Sequence, residues 1–225
     1  MTQAMATYLL SIRGTLAPTT LESARTVHNQ TAGAPANVAA ARSLGDLSHM
    51  VYVPADPTAG SAGEFLILDI WNNIDGLNQF FANKEVQEQA GQIFKQRNPV
   101  VWIPAEGFYS YHLPSPYGKH TRIVSTVRST LASIEQAQTV HNKLVNQLVN
   151  KARGRSNLSH EAYLRLAAPG TPEALEFFAV DTWMDSAGMA AHYQDPDFLG
   201  AFGELFAAPP VTGMWTHPSG EWVEW

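Results

Sequence analysis

Apolar and polar positions alternate in short runs along this chain, and helix-like spacing fills the stretches between them. Residues 6–13, Ala-Thr-Tyr-Leu-Leu-Ser-Ile-Arg, and 121–128, Thr-Arg-Ile-Val-Ser-Thr-Val-Arg, are rich in β-branched residues and predict strands. Each is followed by a helix: Thr19 with Glu22, and Ser133 with Gln136, have capping-box spacing. The second of these helices is expected to reach Arg153 and stop at Gly154, whereas the first is interrupted by Gly33 and Pro35 and resumes over Ala36–Arg42. Strands are predicted next at Leu47–Val53 and Glu64–Trp71, and at Leu158–Leu166 and Leu175–Trp183. A broken helix follows in each case, with Asp195 as N-cap and Pro196 at the first helical position in the second. Core strands at Val100–Ile103 and Val211–Trp215 are then followed by aromatic-rich strands at Gly107–His112 and Glu221–Trp225.

These elements form a repeat. Thr26-Val27-His28-Asn29 returns as Thr139-Val140-His141-Asn142, and Leu47-Ser48-His49 returns as Leu158-Ser159-His160. Glu64-Phe65 returns as Glu176-Phe177, Asp69 with Trp71 as Asp181 with Trp183, and Gly76 as Gly188. Gly91 and Phe94 match Gly203 and Phe206. Ordered matches at an offset near 112 residues mark a duplicated domain rather than a solenoid. The Pro- and Gly-containing segment 113–120 reads as a linker between repeats at 1–112 and 121–225. The order β-α-β-β-α-β is the split βαβ, ferredoxin-like pattern, so the fold class is α+β. Each half leaves one sheet face to be covered, and two antiparallel sheets facing each other would close an intramolecular α/β barrel.

Composition narrows the function. A net charge of −6 is the wrong sign for nucleic acid or an anionic membrane surface. The absence of cysteine removes disulfides, thiolate metal sites and a cysteine nucleophile. No run of about 18 apolar residues suggests a membrane helix. The start, Met-Thr-Gln-Ala-Met-Ala, is unlike a signal peptide, so a cytoplasmic protein is expected. There is no phosphate-binding glycine loop and no Gly-x-Ser-x-Gly.

Alternation on the third strand of each half places Phe65, Ile67, Asp69 and Trp71 on one face, and Phe177, Ala179, Asp181 and Trp183 on the corresponding one. A carboxylate within an apolar row must find donors or stay protonated. His49 and His160 begin the neighbouring strands, and His28 and His141 lie mid-helix within reach of the sheet. Each half therefore offers a His–His–Asp–Trp cluster, open to three readings. It satisfies buried polar groups, it lines a pocket, or, with two histidines and a carboxylate, it holds a metal. The last lacks clustered His spacing, and no metal is expected. Asn29 and Asn142 are turned about 100° from their neighbouring histidines around the helix. Arg13 and Arg128 end their strands as solvated charges or as holders of an acidic ligand group. Tyr52, Tyr163 and His192 are further candidates for substrate contact, and Trp215, Trp222 and Trp225 for packing or subunit contact.

The run Glu176-Phe177-Phe178-Ala179-Val180-Asp181-Thr182-Trp183, with Gly188, Ala191-His192 and Asp195-Pro196-Asp197-Phe198, resembles the antibiotic biosynthesis monooxygenase family of the dimeric α/β-barrel superfamily. The first half keeps Asp69-Ile70-Trp71 and Gly76 but has Phe80 where the second has His192. The resemblance implies an oxygenase without cofactor, or a related haem-degrading enzyme, acting on an aromatic or polyketide-like small molecule, with Trp71 and Trp183 in its pockets. Its members often use an Asn on the first strand, where this chain has Ser11 and Thr126. A non-enzymatic binding or structural protein of the superfamily is the alternative, and a homodimer is a further expectation. Because only the second half keeps Ala-His with Asp-Pro, any active pocket is expected there.

Overall fold

The structure, a computed structural model, describes residues 7–57, 63–112, 123–172 and 174–225. The predicted linker 113–120 and the N-terminal hexapeptide lie outside the described residues. Two compact units are formed: one takes Met1–Ile103 with His217–Trp225, the other Pro104–Thr216. Their limits differ from those of the repeat. The aromatic segment that follows each predicted half belongs to the other unit, because its backbone is held by the other half's helix asparagine.

The first unit contains β1 (Tyr8–Leu16), α1 (Leu21–Gln30), α2 (Pro35–Ser43), β2 (Asp46–Pro54), β3 (Glu64–Trp71), α3 (Ile74–Ala82), α4 (Lys84–Ile93) and β4 (Phe94–Pro104). Its strands run β4-β1-β3-β2, all antiparallel. The second contains β5 (Tyr111–His112), β6 (Ile123–Thr130), α5 (Ile134–Gly154), β7 (Asn157–Arg165), β8 (Glu176–Trp183), α6 (Ser186–Tyr193), α7 (Pro196–Leu205) and β9 (Val211–Thr216). Its order is β9-β6-β8-β7-β5, again antiparallel. This is an α+β architecture with large antiparallel sheets. No helix among the described residues is long and apolar enough to cross a membrane.

Local sequence accounts for most boundaries. The first helix is capped one residue later than the spacing predicted: Thr20 Oγ1 accepts from the Ser23 N–H at 3.1 Å, and Ser23 Oγ answers the Thr20 N–H at 3.3 Å. A hydroxyl at the third helical position thus replaces the expected Glu22 partner. Ser133 caps α5 as predicted, through the Gln136 N–H. Pro35 and Pro196 sit at helix starts, where a missing N–H costs nothing. The aromatic strands shrink: only Tyr111–His112 remains of the first, and Glu221–Trp225 forms none. Trp225 nevertheless exchanges two backbone hydrogen bonds with His49. Trp222 and Trp225 pack against the first unit's core.

Candidate functional site

Register brings the predicted polar residues together. His49 lies opposite Asp69 on β2 and β3, and His160 opposite Asp181 on β7 and β8. Both pairings follow a register shift at the same place, between Asp46 and Ser48 and between Asn157 and Ser159. His49 Nδ1 is 2.7 Å from Asp69 Oδ1, and His160 Nδ1 is 2.5 Å from Asp181 Oδ1. From the helices, His28 Nε2 reaches His49 Nε2 at 2.9 Å, and His141 Nε2 reaches His160 Nε2 at 2.8 Å. The expected His–His–Asp cluster therefore exists in each unit as a linear chain of hydrogen bonds. Among the described residues no group of three or more His, Asp or Glu side chains is arranged to hold a metal ion.

Asn29 and Asn142, which helix geometry alone turns away from the histidines, extend both chains. Asn29 Oδ1 is 3.1 Å from His28 Nδ1, and Asn142 Oδ1 is 3.1 Å from His141 Nδ1. The same amides clasp the aromatic segments. Asn29 Nδ2 donates to Glu221 O and its Oδ1 accepts from the Val223 N–H, at 2.9 and 3.0 Å. Asn142 Nδ2 donates to Gly107 O and its Oδ1 accepts from the Tyr109 N–H, each at 2.8 Å. Trp222 thereby meets the His28 ring at 5.1 Å, and Phe108 meets His141 at 5.2 Å.

Burial and neighbouring charge set the protonation. Burial, then the charge on His49, lowers His28 to about 4. Burial and His160 do the same to His141, also to about 4. For His49, burial is outweighed by the Asp69 carboxylate and its hydrogen bond, and the pKa rises. For Asp181, burial is outweighed by His160 and by the Tyr193 O–H, and the carboxyl is held below its usual range.

Each unit has a cavity along the predicted row. The second is lined by Phe177, Ala179, Asp181, Trp183, His160, His141 and His192 with other aromatic side chains. The first is lined by Ile67, Asp69, Trp71, His49, Phe80 and Trp225 among others. His28 is fully buried behind His49 and is not in the wall. Arg128, Tyr52 and Tyr163 lie outside both cavities. The reason is strand alternation: each stands an odd number of residues from a wall residue on its own strand, Arg128 one from Val127, Tyr52 three from His49 and Tyr163 three from His160. Arg128 pairs with Glu176, Tyr163 donates to Glu161, and Tyr52 packs on His217. Arg13 pairs with Glu64 at 2.9 Å.

The two cavities differ chemically. In the second unit Trp183 Nε1 donates to Ser125 Oγ at 3.0 Å, Ser125 bonds the Tyr193 hydroxyl at 2.7 Å, and Tyr193 donates to Asp181 Oδ2. In the first, Leu10 is paired with Asp69 where Ser125 is paired with Asp181. Phe80 and Phe81 flank Trp71 where His192 and Tyr193 flank Trp183. The Trp71 N–H is consequently buried without a partner. His192 Nδ1 is also buried without a partner, on the wall of the second cavity. Burial leads in lowering the His192 pKa, leaving a neutral imidazole near pH 7. Sequence reasoning missed Ser125 and Tyr193; the tyrosine's position beside His192 in the second helix was the available signal.

Solved structures share this antiparallel α+β fold over nearly the whole chain. An anthrone oxidase-like protein matches with a TM-score of 0.65 at 15% identity, covering 95% of this chain and 92% of that one. A candidate monooxygenase from Fusobacterium nucleatum matches at 0.61 and 11% identity, with 95% and 93% covered. A mutant chlorite dismutase from Candidatus Nitrospira defluvii matches at 0.53 and 11%, with 96% and 93% covered. The likeness is one of fold. No protein-family profile matches the chain, and no curated protein matches its sequence.

Proposed function

We propose that the protein is a cofactor-independent monooxygenase whose working site is the second unit's cavity, and that it acts on a phenolic aromatic small molecule. One observation carries this reading: His192, a neutral imidazole on the wall of an aromatic-lined cavity, has a buried ring nitrogen, Nδ1, without a partner. An imidazole that is neutral, and so able to accept a proton, is what general base catalysis requires. The anthrone oxidase-like neighbour supports the substrate class.

His160 and His49 are assigned a role other than proton acceptor. Both nitrogens of each are engaged, one by a histidine and one by an aspartate. His192 takes a proton of the substrate's activated CH2 group, and the carbanion so formed gives its electrons to dioxygen. In the balanced reaction a CH2 group and O2 become C=O and H2O, one oxygen atom going to each product. The aromatic wall lowers the exposure of the anion to bulk water.

The first cavity favours the second reading, a binding or structural role. Phe80 and Phe81 leave it without the free ring nitrogen and the hydroxyl of its counterpart. Oxygen uptake by purified protein with a panel of anthrones, quinols and haem tests the proposal. The expected result is uptake with an anthrone or quinol that falls at least about 100-fold in His192→Phe, in line with the weight of a general base. No uptake with any member of the panel, or an unchanged rate in His192→Phe, would sink it.

A further inference from the structure

We propose that Asn29 and Asn142 are positioning residues that lock each histidine pair into one proton arrangement: His28 and His141 neutral with the proton on Nδ1, His49 and His160 carrying protons on both nitrogens. The inference goes beyond the oxygenase reading and stands without it.

The argument starts from the asparagine amide, whose orientation the backbone decides. Nδ2 of Asn142 faces a carbonyl oxygen, Gly107 O, and Oδ1 faces an N–H, that of Tyr109. Exchanging the two amide atoms would set donor against donor and acceptor against acceptor. Oδ1 is therefore the atom beside His141 Nδ1, and an oxygen that only accepts demands Nδ1–H. A neutral imidazole with Nδ1–H has a lone pair on Nε2. The contact between the two Nε2 atoms then needs its proton on His160. His160 Nδ1 faces a carboxylate oxygen and holds its own proton toward it. Asn29 meets Glu221 O and the Val223 N–H in the same way, and the chain of deductions repeats through His28, His49 and Asp69.

Other charges agree with the assignment. Asp69 and Glu224 face His49 from β3 and the C-terminal segment, with Asp46 on β2, raised to about 7, and neutral His28 on α1. His160 is faced by Asp181 on β8, by His141 on α5, by His192 on α6 and by the Tyr111 ring on β5. Seating of the aromatic segment and placement of the proton are thus one event, because a single amide serves both. Without the asparagine oxygen, His141 gains nothing from Nδ1–H and is free to turn its N–H toward His160, which then gives up a proton.

Nitrogen-15 NMR of histidine-labelled full-length protein tests this at pH 7. The expected spectrum has two rings of neutral Nδ1–H type and two of imidazolium type. In Asn142→Leu the His160 ring should lose its imidazolium pattern while His49 keeps its own. A merely structural asparagine would not move that signature. A neutral His160 at pH 7, an Nε2–H form of His141, or a His160 pattern unaltered in Asn142→Leu would each overturn the proposal. Should Asn142→Leu fail to fold, the wild-type spectrum and Asn29→Leu, read at His49, decide it.

Discussion

His141 and His160 meet Nε2 to Nε2 at 2.8 Å, a separation that accommodates one proton and repels two. The His28–His49 contact at 2.9 Å repeats it in the other unit. Each unit so buries a cationic ring against an aspartate.

That ring depends on its counter-charge. Asp181→Asn preserves shape and removes the carboxylate facing His160. Removing one partner of a buried pair costs about 3–5 kcal/mol, so urea unfolding at pH 7 should show a loss of that order. A loss under about 1 kcal/mol would mean that the pair carries no charge at neutral pH.

Stability should fall as the pH is lowered from 6.5 to 4. His28 and His141, lowered to about 4 by burial and by the neighbouring ring, take up protons in this window only on unfolding. Asp46, raised to about 7 by burial and by Asp69, is protonated in the fold and releases its proton on unfolding. The net uptake of one proton gives a slope of about 1.4 kcal/mol per pH unit. Stability from the two histidines is complete above 6.5 and lost as the pH falls through 4. His49 acts above this window, and Asp181 and Glu224 act near its lower edge and below. Asp46→Asn should steepen the slope to about 2.7 kcal/mol per pH unit. An unchanged slope in urea titrations would contradict the placement of that proton.

His192→Phe should separate stability from activity. The first unit already carries Phe80 in this position, packed on Trp71 at 5.7 Å. The substitution removes a buried nitrogen without a partner, which should raise unfolding free energy by about 1 kcal/mol while oxygen uptake is lost. A destabilised variant would show that the nitrogen has a partner in solution.

Gly76 and Gly188 should not tolerate alanine. A Cβ at Gly76 would stand 1.8 Å from Leu44 O, and at Gly188 1.9 Å from Arg155 O, so the helices that follow Trp71 and Trp183 would have to move. Thermal unfolding should register about 1–3 kcal/mol of destabilisation. Gly91→Ala and Gly203→Ala meet nothing within 4 Å and should instead stabilise by about 0.5–1 kcal/mol.

Periodicity and the repeat, read from residues alone, determined the element order, the cavity-facing rows from Ile67 to Trp71 and from Phe177 to Trp183, and the membership of both His–His–Asp clusters. These are local properties: alternation in a strand and capping at a helix start depend on near neighbours in the chain. The same alternation, applied to the neighbouring strands, would have excluded Arg128, Tyr52 and Tyr163 from the cavities. Only the tertiary structure decided that His49 and His160 are fully engaged while His192 is free, and that Leu10 leaves the Trp71 N–H without the acceptor Ser125 supplies to Trp183. It also decided that Asn29 and Asn142 clasp segments 192 and 35 residues away from them. A hydrogen bond forms where two groups converge within about 3 Å, and convergence between distant segments depends on register and packing, which no local pattern contains.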